Sequence, residues 1–142
     1  MSNITSADAT IVLAAEGLFK GTEIQGWTAD DIFDVADVTT AETIMGLDGV
    51  LSFAWIPVSK TLTFSLMAGS PSLAMLDIWI EAEDAQKKKF TASAIITLPA
   101  IGRVYSPSGG CLESYTPISA AKKYLQPRKF VFKFQSLNPA SL

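Results

Sequence analysis

Histidine is absent from this 142-residue chain, cysteine occurs once, and charged side chains make up only 18% of it. Without histidine there is no Ser-His-Asp or Cys-His relay, no histidine-ligated zinc and no ordinary general base near neutral pH. The single thiol, Cys111, forms no internal disulfide, and its place after Gly109 and Gly110 reads as a small half-buried residue at a turn rather than a nucleophile. No apolar run approaches the roughly 18 to 20 residues that span a bilayer. The start, MSNITSADAT, lacks the basic head and apolar stretch of a secretory signal, so a cytoplasmic product is expected. Gly46 with Gly49, and Gly109 with Gly110, precede no Lys-Ser/Thr pair and read as turns, not phosphate loops. Asp30, Asp31, Asp34 and Asp37 would have to serve as glycosidase carboxylates or calcium ligands, yet the calcium-loop pattern with glycine sixth and glutamate twelfth is missing. They read as a solvated acidic segment. The chain is expected to be no enzyme, with no catalytic residue, metal ligand or cofactor.

What is present points to self-association. The length suits one domain, spanning 1–142, and hydrophobic residues make up 49% of it. The charged share is below the roughly 25% usual for soluble domains, which leaves little polar material to cover a monomer. The net charge of −3 is too small to imply a nucleic-acid surface, but it is unevenly spread. Residues 1–71 carry nine acidic side chains against Lys20 and Lys60, a net −7; residues 72–142 carry five against nine basic ones, a net +4, which recovers −3. Unlike halves suit head-to-tail stacking of copies if the fold keeps them apart, and average out if it interleaves them.

The alternation patterns predict a sheet protein. Phe130, Phe132 and Phe134 recur at period two, with Lys129, Val131, Lys133 and Gln135 on the opposite face, so a half-buried strand is expected to close the fold near its end. Strands are also predicted at 10–15, 17–28, 90–98, 102–105 and 112–115, and a hairpin of 50–56 with 61–67 turning through 57–60. The stretch 29–49, holding Asp30, Asp31, Asp34, Asp37, Glu42 and Asp48, reads as a long acidic surface loop with a short helical turn near Thr40–Thr43. A helix is predicted over about 71–87, with Ser70 placed to cap, Pro71 in the first turn, and Glu83–Lys87 and Asp84–Lys88 as pairs four apart. Lys87, Lys88 and Lys89 then complement the negative helix end. The segment 116–127 is a proline-bounded connector.

The order of these pieces resembles a known family. Thr28-Ala-Asp-Asp-Ile-Phe-Asp34, Ala41-Glu-Thr-Ile-Met-Gly-Leu-Asp-Gly49, Gly69-Ser-Pro-Ser-Leu73, Ile96-Thr-Leu-Pro-Ala-Ile-Gly102 and Leu125-Gln-Pro-Arg-Lys-Phe-Val-Phe-Lys-Phe134 together resemble the tail tube proteins of contractile-tailed bacteriophages. The resemblance covers about residues 11–136 and rests on segment order and character rather than on a catalytic signature. It implies a mainly β fold, an antiparallel β-sandwich or barrel with one flanking α-helix. It also implies six copies per ring, rings stacked into a hollow tube that conducts DNA, and sheath, baseplate and tail terminator proteins as partners in a virion tail. Under that reading Asp30, Asp31, Asp34, Asp37, Glu42 and Asp48 are candidate inter-subunit contacts. A tube subunit of a type VI secretion or pyocin-like particle would share the architecture. From another class, a soluble ligand-binding β-barrel would gather Trp27, Trp55 and Trp79 around a small pocket.

Overall fold

The computed structural model describes residue 5, residues 7–28 and residues 33–142. In chain order the elements are β1 (Thr10–Ala15), β2 (Phe19–Glu23), β3 (Phe33–Val35), β4 (Ala41–Met45), β5 (Leu51–Trp55), β6 (Lys60–Leu66), α1 (Ser72–Gln86), β7 (Ala92–Leu98), a 3-10 turn (Pro99–Ile101), β8 (Arg103–Ser108), β9 (Cys111–Tyr115), β10 (Arg128–Phe134) and β11 (Ser136–Ser141). The fold is mainly β and antiparallel, with one helix. One sheet runs β11-β8-β7-β1-β2, a second runs β3-β6-β10-β9, and β4 and β5 pair only with each other.

Period-two alternation builds the core. Ile11, Leu13 and Ala15 of β1, and Ala92, Ala94 and Ile96 of β7, face Leu62, Phe64 and Leu66 of β6 and the three β10 rings, all of them buried. Phe130 pairs in register with Phe64 and Phe132 with Leu62, so the rings stack beside Phe64 with centroids 5.7 Å apart. The phenylalanine strand is thus central, between β6 and β9, and it is not the last strand. β11 follows and pairs with β8 from Ser136↔Ser108 to Ser141↔Arg103. Pro139 weakens its strand signal, and a strand holding proline is tolerated because β11 is an edge. β8 likewise runs on to Ser108, past the predicted 102–105; its Pro107 lies beyond the three-residue ladder with β7. At the junction of the sheets Ala92 bridges Gly110, where any Cβ would collide with the Lys133 carbonyl and the Phe134 ring.

The helix closes this sandwich with Leu73, Leu76 and Trp79 buried, the indole meeting Phe132 edge-on at 5.5 Å. Its start is tied to the segment after β2. Ser72 Oγ accepts the Gln25 N–H at 2.8 Å, while the Ser70 hydroxyl accepts the Ser72 N–H at 3.2 Å and donates to the Gln25 carbonyl. Its end departs from the predicted pairs. Glu83 is buried, and its carboxylate accepts Trp79 Nε1 and the Phe90 N–H, each at 3.1 Å, and Lys89 Nζ at 2.9 Å. A carboxylate that far from water needs several donors, and the indole on the same helix face supplies one. Lys87 instead ends the helix in the left-handed conformation at φ 56°.

The central region differs most from the sequence expectation. The hairpin of 50–56 with 61–67 does not form: β6 pairs with β10 and β3, and β5 pairs with β4. Leu62, Phe64 and Leu66 gain more buried apolar contact beside the β10 rings than a local hairpin offers, and residues 57–59 become a link between two sheets. The acidic stretch is no continuous loop, because it contains β3 and β4, and Ala41 opens a strand where a helical turn was expected. The predicted 17–28 strand shortens to β2, with Trp27 returning as a single bridge to Leu66.

Candidate functional site

The β4–β5 ribbon is the feature that the core does not explain. Its register, Ala41↔Trp55, Thr43↔Phe53 and Met45↔Leu51, places those six side chains on one face, with Glu42, Ile44, Ser52 and Ala54 on the other. Every residue of both strands is exposed, including Trp55 at 75%, Phe53 at 78% and Met45 at 62%. The turn is well formed: Gly46 N–H donates to the Val50 carbonyl at 2.9 Å, Gly49 takes φ 83°, and Asp48 Oδ1 accepts the Val50 N–H at 3.1 Å. Ile56 N–H donates to the Thr40 carbonyl at 2.8 Å and closes the base. An isolated two-stranded ribbon is marginal in water, and a contiguous exposed apolar face marks an interaction surface.

A second feature lies where the two sheets part. Phe33 and Val35 of β3 face Ile96, Leu98, Tyr105 and Leu137 across an almost wholly apolar slot of about 290 Å³. Its lips are β3 and β11, each an edge strand of its sheet.

The acidic residues do not form one cluster. Asp30 and Asp31 lie outside the described residues. Asp34 sits on β3 opposite Thr63, facing away from the core, and borders a shallow depression that Lys129 also lines. Asp37 is exposed on the link between β3 and β4, Glu42 lies on the second face of the ribbon, and Asp48 sits at its turn. Among the described residues no group of three His, Cys, Asp or Glu side chains could hold a metal ion. The three tryptophans are not gathered around one pocket: Trp79 is fully buried, Trp27 packs edge-on against Phe64 at 5.5 Å, and Trp55 stands on the ribbon. That arrangement removes the basis for the ligand-binding barrel. The residues that sequence reading missed are Ile44, Met45 and Leu47; the Gly46-Leu-Asp-Gly49 turn directly before the alternating segment from Val50 to Trp55 is the hairpin signal that would have found them.

The fold is shared with chains solved in contractile injection systems. A chain of the anti-feeding prophage (AFP) baseplate, solved 6-fold symmetrised, superimposes with a TM-score of 0.60 at 10% identity, over 99% of this chain and 97% of that one. A chain of the PVC sheath-tube complex in its extended state, an extracellular contractile injection system, gives 0.60 at 11% identity, over 99% and 93%. A chain of the AFP tube terminating cap gives 0.59 at 14% identity, over 100% and 93%. At such identities the likeness is one of fold. The chain itself belongs to the family described as tail fiber protein gp32, whose model matches residues 2–138. No curated protein matches the sequence. Among the described residues no helix is long and apolar enough to cross a membrane.

Proposed function

We propose that this chain is a structural subunit of a contractile phage tail tube, assembling as six-membered rings that stack around a lumen through which DNA passes. The observation that carries this reading is the uncovered apolar face of the β4–β5 ribbon, on a fold shared with tube, cap and baseplate chains. Burying Phe53 and Trp55 would cover roughly 300–500 Å², on the order of 10 kcal/mol of gross hydrophobic free energy. Association costs about 4–15 kcal/mol, so one such contact lies near break-even. Closed rings and stacking, in which each copy makes several contacts at once, then turn a weak pairwise contact into a stable assembly.

Asp30, Asp31, Asp34, Asp37, Glu42 and Asp48 serve in this reading as subunit or ring contacts toward the basic half, whose lysines include Lys87, Lys88 and Lys89 at the helix end. Sheath, baseplate and terminator proteins are the further partners, and the particle is a virion tail assembled in the host cytoplasm. The reading with the next best support is a ring of the baseplate or cap, because those chains match the fold equally well. Negative-stain microscopy of the purified chain at rising concentration separates the two: long tubes with a central channel support the tube, isolated rings support the cap or baseplate, and a persistent monomer refutes both.

A further inference from the structure

We propose that the apolar slot between β3 and the β7–β8–β11 side is the socket for the β4–β5 ribbon of a second copy of this chain. The inference rests on the reading of the chain as a ring-forming subunit and names the acceptor surface. Ribbon and slot are complementary in kind: the ribbon offers Phe53 and Trp55 on a face without charge, and the slot offers Phe33, Val35, Ile96, Leu98, Tyr105 and Leu137 with hardly a polar atom among them. About 290 Å³ is far more than the roughly 30 Å³ share of one water and accommodates a large aromatic side chain.

Charge places the ribbon further. Arg103 pairs with Leu98 and lies two residues before Tyr105, so it continues the slot-facing row to the exposed rim, where it has no ion pair among the described residues. The ribbon carries acid at its turn, Asp48, whereas Glu42 lies toward the base on the face opposite Phe53 and Trp55. Apolar contact in the slot with the Asp48 turn against Arg103 at the rim fixes the direction of insertion.

The donor and acceptor surfaces are different parts of one chain, so the contact is heterologous. Such contacts propagate head to tail and close into a ring when the rotation allows. The ribbon follows β3, one lip of the slot, through the link 36–40, and all ten of its strand residues are exposed, so it does not fill its own slot.

Disulfide trapping tests this. In a Cys111→Ser background, Thr43→Cys, which lies beside Phe53 on the same ribbon face and leaves both aromatics in place, combined with Leu137→Cys is expected to give, on oxidation of assembled protein, a ladder of covalent oligomers on non-reducing gels. Neither single-cysteine variant should do so. Rings seen by microscopy without inter-copy disulfides, or a disulfide formed only within one chain, would overturn the docking while leaving the ring reading intact. A chain that makes no ring or tube under any condition would overturn both. Should the cysteine variants not fold, Arg103→Glu gives a second measurement at an exposed site. It is expected to raise the concentration needed for assembly about tenfold at low salt, and Asp48→Arg should restore it. No rise, or no restoration, overturns the docking.

Discussion

Replacing Glu83 by alanine is expected to destabilise the subunit by about 2–5 kcal/mol. The carboxylate is buried and receives three donors: the Trp79 indole, the Phe90 backbone and the Lys89 ammonium. Alanine leaves the first two without a partner where Trp79 is wholly buried and Phe90 is 8% exposed. Each orphaned buried donor costs about 1–3 kcal/mol. Lys89, 54% exposed, returns to water and adds little. Glutamine is the informative contrast. Its amide oxygen can still accept both buried donors, so Glu83→Gln should lose only the ionic contact with Lys89 and cost about 1 kcal/mol. Thermal unfolding of the unassembled subunit by circular dichroism reads both. For a chain of this length about 3–4 °C per kcal/mol is expected, hence a fall of roughly 6–20 °C for alanine and a few degrees for glutamine. Glutamine as costly as alanine, or alanine without effect, would refute the view that the carboxylate acts by satisfying buried donors.

Phe132→Ala removes a ring packed against Phe64, Trp79 and Phe134 and should cost about 3–5 kcal/mol; an unchanged melting point with assembly lost would move the ring to an interface. Trp55→Ser and Phe53→Ser should leave the melting point of the monomer within a few degrees and abolish rings by microscopy, since neither side chain contributes to the core. Gly110→Ala should destabilise by about 1–3 kcal/mol, because the new methyl meets the Lys133 carbonyl and the Phe134 ring, and denaturant midpoints would show it. Reversing Asp34, Asp37 and Asp48 to lysine should weaken polymerisation at low salt and matter less above about 0.5 M, where the Debye length is only a few ångströms; salt-independent assembly would make them merely solvated.

Wherever a strand alternates and is covered by the core, the linear pattern reads correctly. Phe130, Phe132 and Phe134 are all buried, and the alternation in 61–67 likewise identifies Leu62, Phe64 and Leu66 as inward residues. The parity of β5 is also legible, with Leu51, Phe53 and Trp55 on one face. Its surroundings are not, because a period-two stripe is the same whether a core or a neighbouring copy covers it. β3 is three residues long and β11 contains Pro139, so neither carries enough pattern to stand out from a loop. The acidic candidates were visible as composition, but their dispersal over β3, its following link and the ribbon was not.

The sequence by itself determined that this is a sheet protein with one helix near residues 71–87, an aromatic strand in its core and none of the histidine-dependent chemistry of common enzymes. Those conclusions follow from local periodicity and from residue types that are present or missing. Only the tertiary structure decided that β6 leaves its sequence neighbour for β10, that β5 joins β4 in a ribbon outside the core, that Glu83 turns inward, and that six residues from β3, β7, β8 and β11 line one slot. Pairing partners are set by competition for buried area across the whole chain, and a local pattern records the faces of a strand but not which strand will lie beside it.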